Sequence, residues 1–270
     1  MIPVDVAIHR VRRDITLAVV LKAAFFLAIV GSLWIGPPYM KALALTVVGV
    51  AWVWLSVSSA RNSQIAAGSP SLIASGQFDE AERQIDKAMR TFSLFRAAKL
   101  QSLHQLAMLR HAQRRWQESA ALCRALLGQR LGVRSLSRAS RLILAESLLE
   151  MNDLRGAYEA IIGLYQDRLP LREAMMLLAV QVDYEARIGA WGRIMNAAPT
   201  KVQLAEMMPA IHAARVEAML ALAALKLGRA DWADWLRARV ELLVDVPALC
   251  AQRPMLCELW GKQPDANAGD

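Results

Sequence analysis

Histidine, cysteine, carboxylate and arginine are the side chains here with chemistry beyond packing, so their spacing is the first thing to weigh. The histidines are His9, His104, His111 and His212. His104 and His111 stand seven residues apart, two turns along one helical face. A zinc pair on a helix needs a spacing of four, and no Cys, Asp or Glu nearby completes a ligand set. No metal and no cofactor is expected. The cysteines, Cys123, Cys250 and Cys257, are odd in number and form no CxxC, which fits reduced thiols in a cytoplasmic compartment better than a disulfide framework. Cys250 and Cys257 could pair, but two small buried thiols are the plainer reading. Glu146, Glu150, Asp183 and Glu185 sit in helical stretches where a solvated face is the default. No phosphate loop, dinucleotide loop or nucleophile elbow is present. No catalytic residue is assigned, and the chain reads as a non-enzyme.

Arginine gives the clearest signal. Between residues 110 and 141 eight arginines face one acid, Glu118, a local charge of 8 − 1 = +7 in a chain of net charge +8. Arg134, Arg138 and Arg141 fall four and three apart, on one helical face. With Arg110, Arg114 and Arg115 they make a candidate basic patch. It suits an anionic leaflet, at about 1 kcal/mol per base, or an acidic partner, or simply water. Nucleic acid is disfavoured, because no aromatic side chains interleave with these bases as a stacking platform.

The elements that must position these residues are of two kinds. Hydrophobic residues make up 56% of the chain, against about 45–50% for a typical soluble domain, and the excess is local. Residues 15–35 carry one charge, Lys22, and residues 42–60 carry none. Each run suffices for a bilayer core of about 30 Å at about 1.5 Å per helical residue. Gly36, Pro37 and Pro38 force a turn between them. The expectation is a transmembrane hairpin over 15–60. Arg10, Arg12 and Arg13 precede it and only Lys41 lies in its loop, so the positive-inside rule puts the N-terminus and everything after Arg61 in the cytoplasm. This implies a multi-pass protein of the cell (inner) membrane. Lys22 can snorkel to the headgroups.

From Arg61 onward the apolar residues follow a period near 3.6, as in Leu100, Leu103, Leu106 and Leu109. A join recurs between helices: Gly76-Gln77-Phe78, Arg114-Arg115-Trp116, Asn152-Asp153-Leu154, Gly189-Ala190-Trp191 and Gly228-Arg229-Ala230. The third residues of these joins step by 38, 38, 37 and 39, the mark of a helical array. Gly76, Phe78, Ala81, Ile85 and Ala88 resemble the tetratricopeptide repeat family, as do Ala157, Ile161 and Leu164. Ala107 and Ala145 take the small position of the first helix. Ser119 and Ile194 depart from the pattern, and the period exceeds 34. The resemblance covers about residues 70–245.

The expected fold is all-α: a transmembrane helical hairpin followed by a tetratricopeptide-like α-solenoid of about five helix pairs. Residues 1–14 are expected to be a basic cytoplasmic segment, 61–260 the repeat domain and 261–270 a frayed tail. Pro209 should kink or split a helix over 201–227, and residues 247–260 should cap the array. The resemblance implies that the first helix of each pair lines a groove for a protein or peptide, with His104, Met108, His111, Glu146, Asp183 and Arg187 as candidates to face it. The function expected is a membrane-anchored scaffold or adaptor. The alternative is an accessory subunit of a membrane enzyme, transport or envelope-assembly complex, acting through the hairpin, where Gly31, Ser32, Gly49 and Ser56 permit close helix packing.

Overall fold

A computed structural model describes residues 2–32, 34, 37–129 and 134–261. The turn at Gly36 and the tail beyond Gly261 fall outside them. Every regular element among the described residues is helical. The chain forms two compact units, Met1–Met151 and Asn152–Asp270.

The first unit opens with α1 (Val4–Ser32) and α2 (Pro38–Ser63). Both are long and apolar enough to cross a membrane. They run antiparallel, with the Phe25 and Trp52 rings in edge contact at 5.0 Å. Phe26, Leu27, Leu43, Val47, Val50 and Val53 are exposed, an arrangement that water disfavours and lipid does not. Pro38 opens α2, so residues 38–41 are helix rather than loop. Proline fits there because the N–H it lacks would have no acceptor within the first turn of the helix.

Residues 4–14, within the basic N-terminal segment, form the first turns of α1. They carry a stripe, Ala7, Val11, Asp14 and Ala18, at spacings of four, three and four, and all four are buried. This stripe packs on α4 (Phe78–Arg90), α5 (Arg96–Ala112) and α6 (Trp116–Leu127). Asp14 meets Lys99 near the start of α5 (2.7 Å), and the Ile2 carbonyl accepts from Arg110 near its end (3.1 Å), so α1 lies antiparallel along α5. The Ile2 N–H donates to Glu82 Oε1 at 2.7 Å, and Arg10 pairs with Asp86 at 3.5 Å. The end of α2 is tied as well, through Ser59 Oγ accepting from the Leu94 N–H (3.0 Å). Between α2 and α4 lies the short α3 (Ser69–Ala74), and α7 (Arg134–Glu150) packs on α6 and α5. Ser119 stands where an alanine was expected. Its hydroxyl donates to the Ala107 carbonyl and accepts from Ser147, so the buried polar atom is satisfied.

The second unit contains α8 (Leu154–Tyr165), α9 (Leu171–Arg187), α10 (Trp191–Met195), α11 (Ala198–Glu206), α12 (Ala210–Lys226), α13 (Ala230–Leu243), α14 (Val246–Gln252) and a 3-10 turn, Pro254–Trp260. Helix α12 is its centre. Ala213, Ala214, Val216 and all of residues 217–224 are buried, as expected of a helix apolar nearly all round. Its alanines let α9, α10, α11, α13 and the 3-10 turn pack closely. Pro209 splits the expected 201–227 helix outright, into α11 and α12. Leu249, Leu256 and Leu259, from the last two elements, are buried in this core.

One backbone device recurs along the chain. Gly76, Arg114, Asn152, Gly189 and Gly228 all have positive φ, between 58° and 76°, and each is followed two residues later by the start of a helix. At four of these turns the next residue donates its N–H five residues back: Gln77 to Leu72, Arg115 to Arg110, Ala190 to Glu185 and Arg229 to Ala224. This is the left-handed helix stop that closes orphan carbonyls. After Asn152 the new helix is also capped, since Asp153 Oδ1 accepts from the Gly156 N–H at 2.9 Å.

Candidate functional site

The sequence singled out His104, Met108 and His111 on α5, and Glu146 on α7. The structure turns this face of α5 toward α7. His104 Nδ1 lies 3.0 Å from Ser140 Oγ and the residue is 5% exposed. Burial disfavours the charged imidazole and pushes it down to about 4, so His104 is a neutral group in a seam between helices. Two turns on, His111 Nε2 is 3.4 Å from Glu146 Oε2, and its ring meets the edge of Trp116 at 4.9 Å. Met108 is half-buried between them in sequence.

In the second unit, Asp183 and Arg187 belong to one ion cluster. Asp183 is fully buried. Arg187 Nε donates to it at 3.2 Å, Arg215 hydrogen-bonds its other oxygen, and Arg253 lies 3.2 Å away. Burial alone would raise the Asp183 pKa; the guanidiniums of Arg215, Arg253 and Arg187 outweigh it, and the group titrates below the usual carboxylate range. Three guanidiniums thus converge on one buried carboxylate. Arg215 comes from α12 and Arg253 from the residue after α14; no local spacing in the sequence connects them to Asp183.

Nearby on α9, Gln181 donates to Glu185 Oε1 (2.9 Å) and accepts a hydrogen bond from the Tyr165 hydroxyl. Burial, then the Glu185 charge, raises the Tyr165 pKa. Tyr158 stacks on Tyr184 at 5.7 Å. Tyr158, Ile162 and Tyr165 form an exposed stripe along α8. On α13, Arg239 holds fully buried Glu217 (3.0 Å) and Glu206 (2.7 Å), and lies over the Trp235 ring at 5.0 Å.

The candidate basic patch does not form one face. Arg110 is completely buried: it bonds Glu82 Oε1 (2.9 Å), Gln113 (2.7 Å) and the Ile2 carbonyl, with Glu118 at 3.2 Å from its Nε. The hydrogen bond from Arg110 is the main reason that Glu82 titrates below its ordinary value. Arg115 pairs with Glu118. Arg114 occupies the left-handed turn and is exposed, as is Arg134, while Arg138 and Arg141 are half-buried. Further exposed bases, which the sequence reading used for orientation but left out of the patch, are on α1. His9, Arg12 and Arg13 lie opposite its buried stripe, beside a shallow open depression lined by α1 alone. The stripe at 7, 11, 14 and 18 was the available signal.

Among the described residues no three His, Cys, Asp or Glu side chains converge as a metal site would require. Cys123 is buried against Ser119, and burial pushes its thiol up to about 12. A second open depression, at Gly192, Asn196, Leu227 and Arg229, gathers no acid, histidine or thiol. No family model, no curated protein and no solved structure matches this chain.

Proposed function

We propose that this chain is a membrane-anchored adaptor: a two-helix anchor in the cell membrane, with a helical-repeat domain of tetratricopeptide type that holds a protein or peptide partner at the cytoplasmic surface. The observation that carries the reading is the joint between anchor and helix pairs. Asp14 to Lys99, Ile2 to Glu82 and Arg110, and Ser59 to Leu94 fix both ends of the apolar hairpin to α4, α5 and the loop between them. The helices of the first unit, fixed in this way, are held at the bilayer, and tethering there restricts a partner to two dimensions and raises its effective concentration. The recurrent left-handed turn at residues 76, 114, 152, 189 and 228 supports the repeat reading, because stacked helix pairs offer surface rather than a reacting centre. The orientation rests on Arg10, Arg12 and Arg13 in the first turns of α1, ahead of its apolar span.

Proximity labelling in intact cells, with the enzyme fused to the C-terminus, tests it. The expected result is a defined set of cytoplasmic and membrane-proximal neighbours, unchanged when the hairpin is replaced by an unrelated anchor that preserves residues 1–14. Labelling confined to the opposite side of the membrane, or no enrichment over the free labelling enzyme, overturns the reading. Loss of the neighbours on anchor replacement favours the accessory-subunit reading, to which the exposed hairpin lends itself: a Cβ added at Gly31 or Gly49 meets nothing within 4 Å.

A further inference from the structure

We propose that Arg12, Arg13 and Arg61 form a collar that binds the headgroups of anionic phospholipids where the hairpin enters the bilayer. The proposal rests on the membrane reading above. Helix α1 has two faces at this level. One is committed to the protein through Ala7, Val11, Asp14 and Ala18. The other carries Arg12 and Arg13, both exposed. Arg61 joins them from α2. The Phe25–Trp52 contact sets the register of the two antiparallel helices. Arg61 is 61 − 52 = 9 residues past Trp52, which is level with Thr16, 9 residues before Phe25. Arg12 and Arg13 are then within about 6 Å of that level along the axis. Apolar side chains take over at once, since Leu17, Val19 and Val20 are exposed.

The charge around this collar is unbalanced. Arg12 and Arg61 make no ion pair among the described residues. Arg13 approaches only Asp14, at 3.9 Å, and Asp14 is already taken by Lys99 at 2.7 Å. Arg10 shares Asp86 (3.5 Å) with Arg90 (2.7 Å). The remaining acid on α1, Asp5, lies seven residues before Arg12, about two turns away. Arg12 and Arg61 are therefore presented at the headgroup plane without a protein counter-charge among the described residues, and Arg13 with only a distant share of Asp14. The bonds of α1 along α5 hold the backbone that carries Arg12 and Arg13, and the Ser59–Leu94 bond holds the end of α2 that carries Arg61. Guanidinium groups engage phosphate with paired N–H donors, so a phosphodiester headgroup matches them in charge and geometry. The open depression along α1, lined by His9, Arg10, Arg12 and Arg13 and at its far end by Asp5, leaves room for it.

The test uses the full-length protein reconstituted into phosphatidylcholine vesicles and into mixed phosphatidylcholine–phosphatidylglycerol vesicles. After mild detergent extraction, the lipids retained per protein are measured by mass spectrometry. The wild type should retain phosphatidylglycerol above its share of the mixture. Arg12→Gln, Arg13→Gln and Arg61→Gln should each lower that preference, by about fivefold per charge at low salt. The triple Arg→Lys variant should keep most of it. All three side chains are exposed, so unchanged thermal unfolding is expected in the variants. Retention at the bulk lipid ratio, or an unchanged preference in the triple Gln variant, overturns the collar. Flotation with pure phosphatidylcholine vesicles separates the two proposals: flotation without lipid preference overturns the collar alone, and absence of flotation overturns both.

Discussion

Lys99 and Asp14 form a buried ion pair, Nζ to Oδ2 at 2.7 Å, between helix α5 and the helix that continues into the apolar span. Lys99 is 1% exposed and also donates to the Met89 carbonyl at 2.8 Å and to the Thr91 carbonyl. Its ammonium thus has three acceptors and no access to water. Removing one partner of such a pair strands a charge, which costs about 3–5 kcal/mol, whereas replacing both is far milder. Asp14→Asn and Lys99→Met should each destabilise the detergent-solubilised protein by about 3 kcal/mol. The double variant should lose much less than the sum. A double-mutant cycle on thermal unfolding measures this, and strictly additive losses would show that the two residues act independently.

The recurrent turns predict opposite signs for two exchanges at equivalent positions. Gly228 has φ +70° with open space around a built Cβ, so Gly228→Ala meets only backbone strain, about 1 kcal/mol. Arg114 already bears that strain at φ +59° and is exposed. Arg114→Gly should therefore stabilise by about 0.5–1 kcal/mol, the relieved strain exceeding the added chain entropy of glycine. Asn152→Gly should change little, since asparagine tolerates this conformation. Urea or thermal titration of the three variants checks the order. A destabilised Arg114→Gly would mean that the side chain, not the dihedral, matters there.

These two features differ in how far the sequence could reveal them. The hairpin, the helices and the turns are local: hydropathy, a 3.6 period and Gly or Asn at four of the five stops lie within one window. The helix starts at Phe78, Trp116, Leu154 and Trp191 follow the joins for that reason. Asp14 and Lys99 are 99 − 14 = 85 residues apart, and nothing local pairs them. Arg110 looked like one of eight surface bases because spacing alone cannot say that Glu82 and the Ile2 carbonyl reach it. Likewise Asp183 and Arg187 were visible as an i, i+4 pair, but Arg215 and Arg253 become neighbours only through the packing of α9, α12 and the segment after α14. Helix type is written locally, whereas burial of a charge is decided by distant chain.

The thiols should separate by reactivity. The thiolate is the reacting form, and burial holds Cys123 protonated with a pKa of about 12. Cys250 is also buried, while Cys257 is half-buried. Maleimide at neutral pH should label Cys257 in the folded protein and reach Cys123 and Cys250 only on unfolding. Mass spectrometry of tryptic peptides reports the sites. Rapid labelling of Cys123 in the native state would contradict the packing of α6 against α5 and α7.

His104 predicts an acid-sensitive term in stability well above the carboxylate range. Its folded pKa is about 4, against about 6.5 for an exposed imidazole. Between these values the unfolded chain binds a proton that the folded chain does not, so stability falls as pH falls. The term is fully present above pH ~6.5, and about 3 kcal/mol of it is lost by pH ~4. Glu82 and Asp183 titrate below their ordinary values, so their contributions are lost only under more acidic conditions, as pH falls through their folded pKa values. His104→Asn keeps a polar group facing Ser140 but cannot titrate. Its absolute stability is expected to drop, yet its stability should be nearly flat from pH 6.5 down to about 4, while the wild type slopes. Denaturant titrations across that range measure both slopes, and an unchanged slope in the variant would move the sensitive group away from His104.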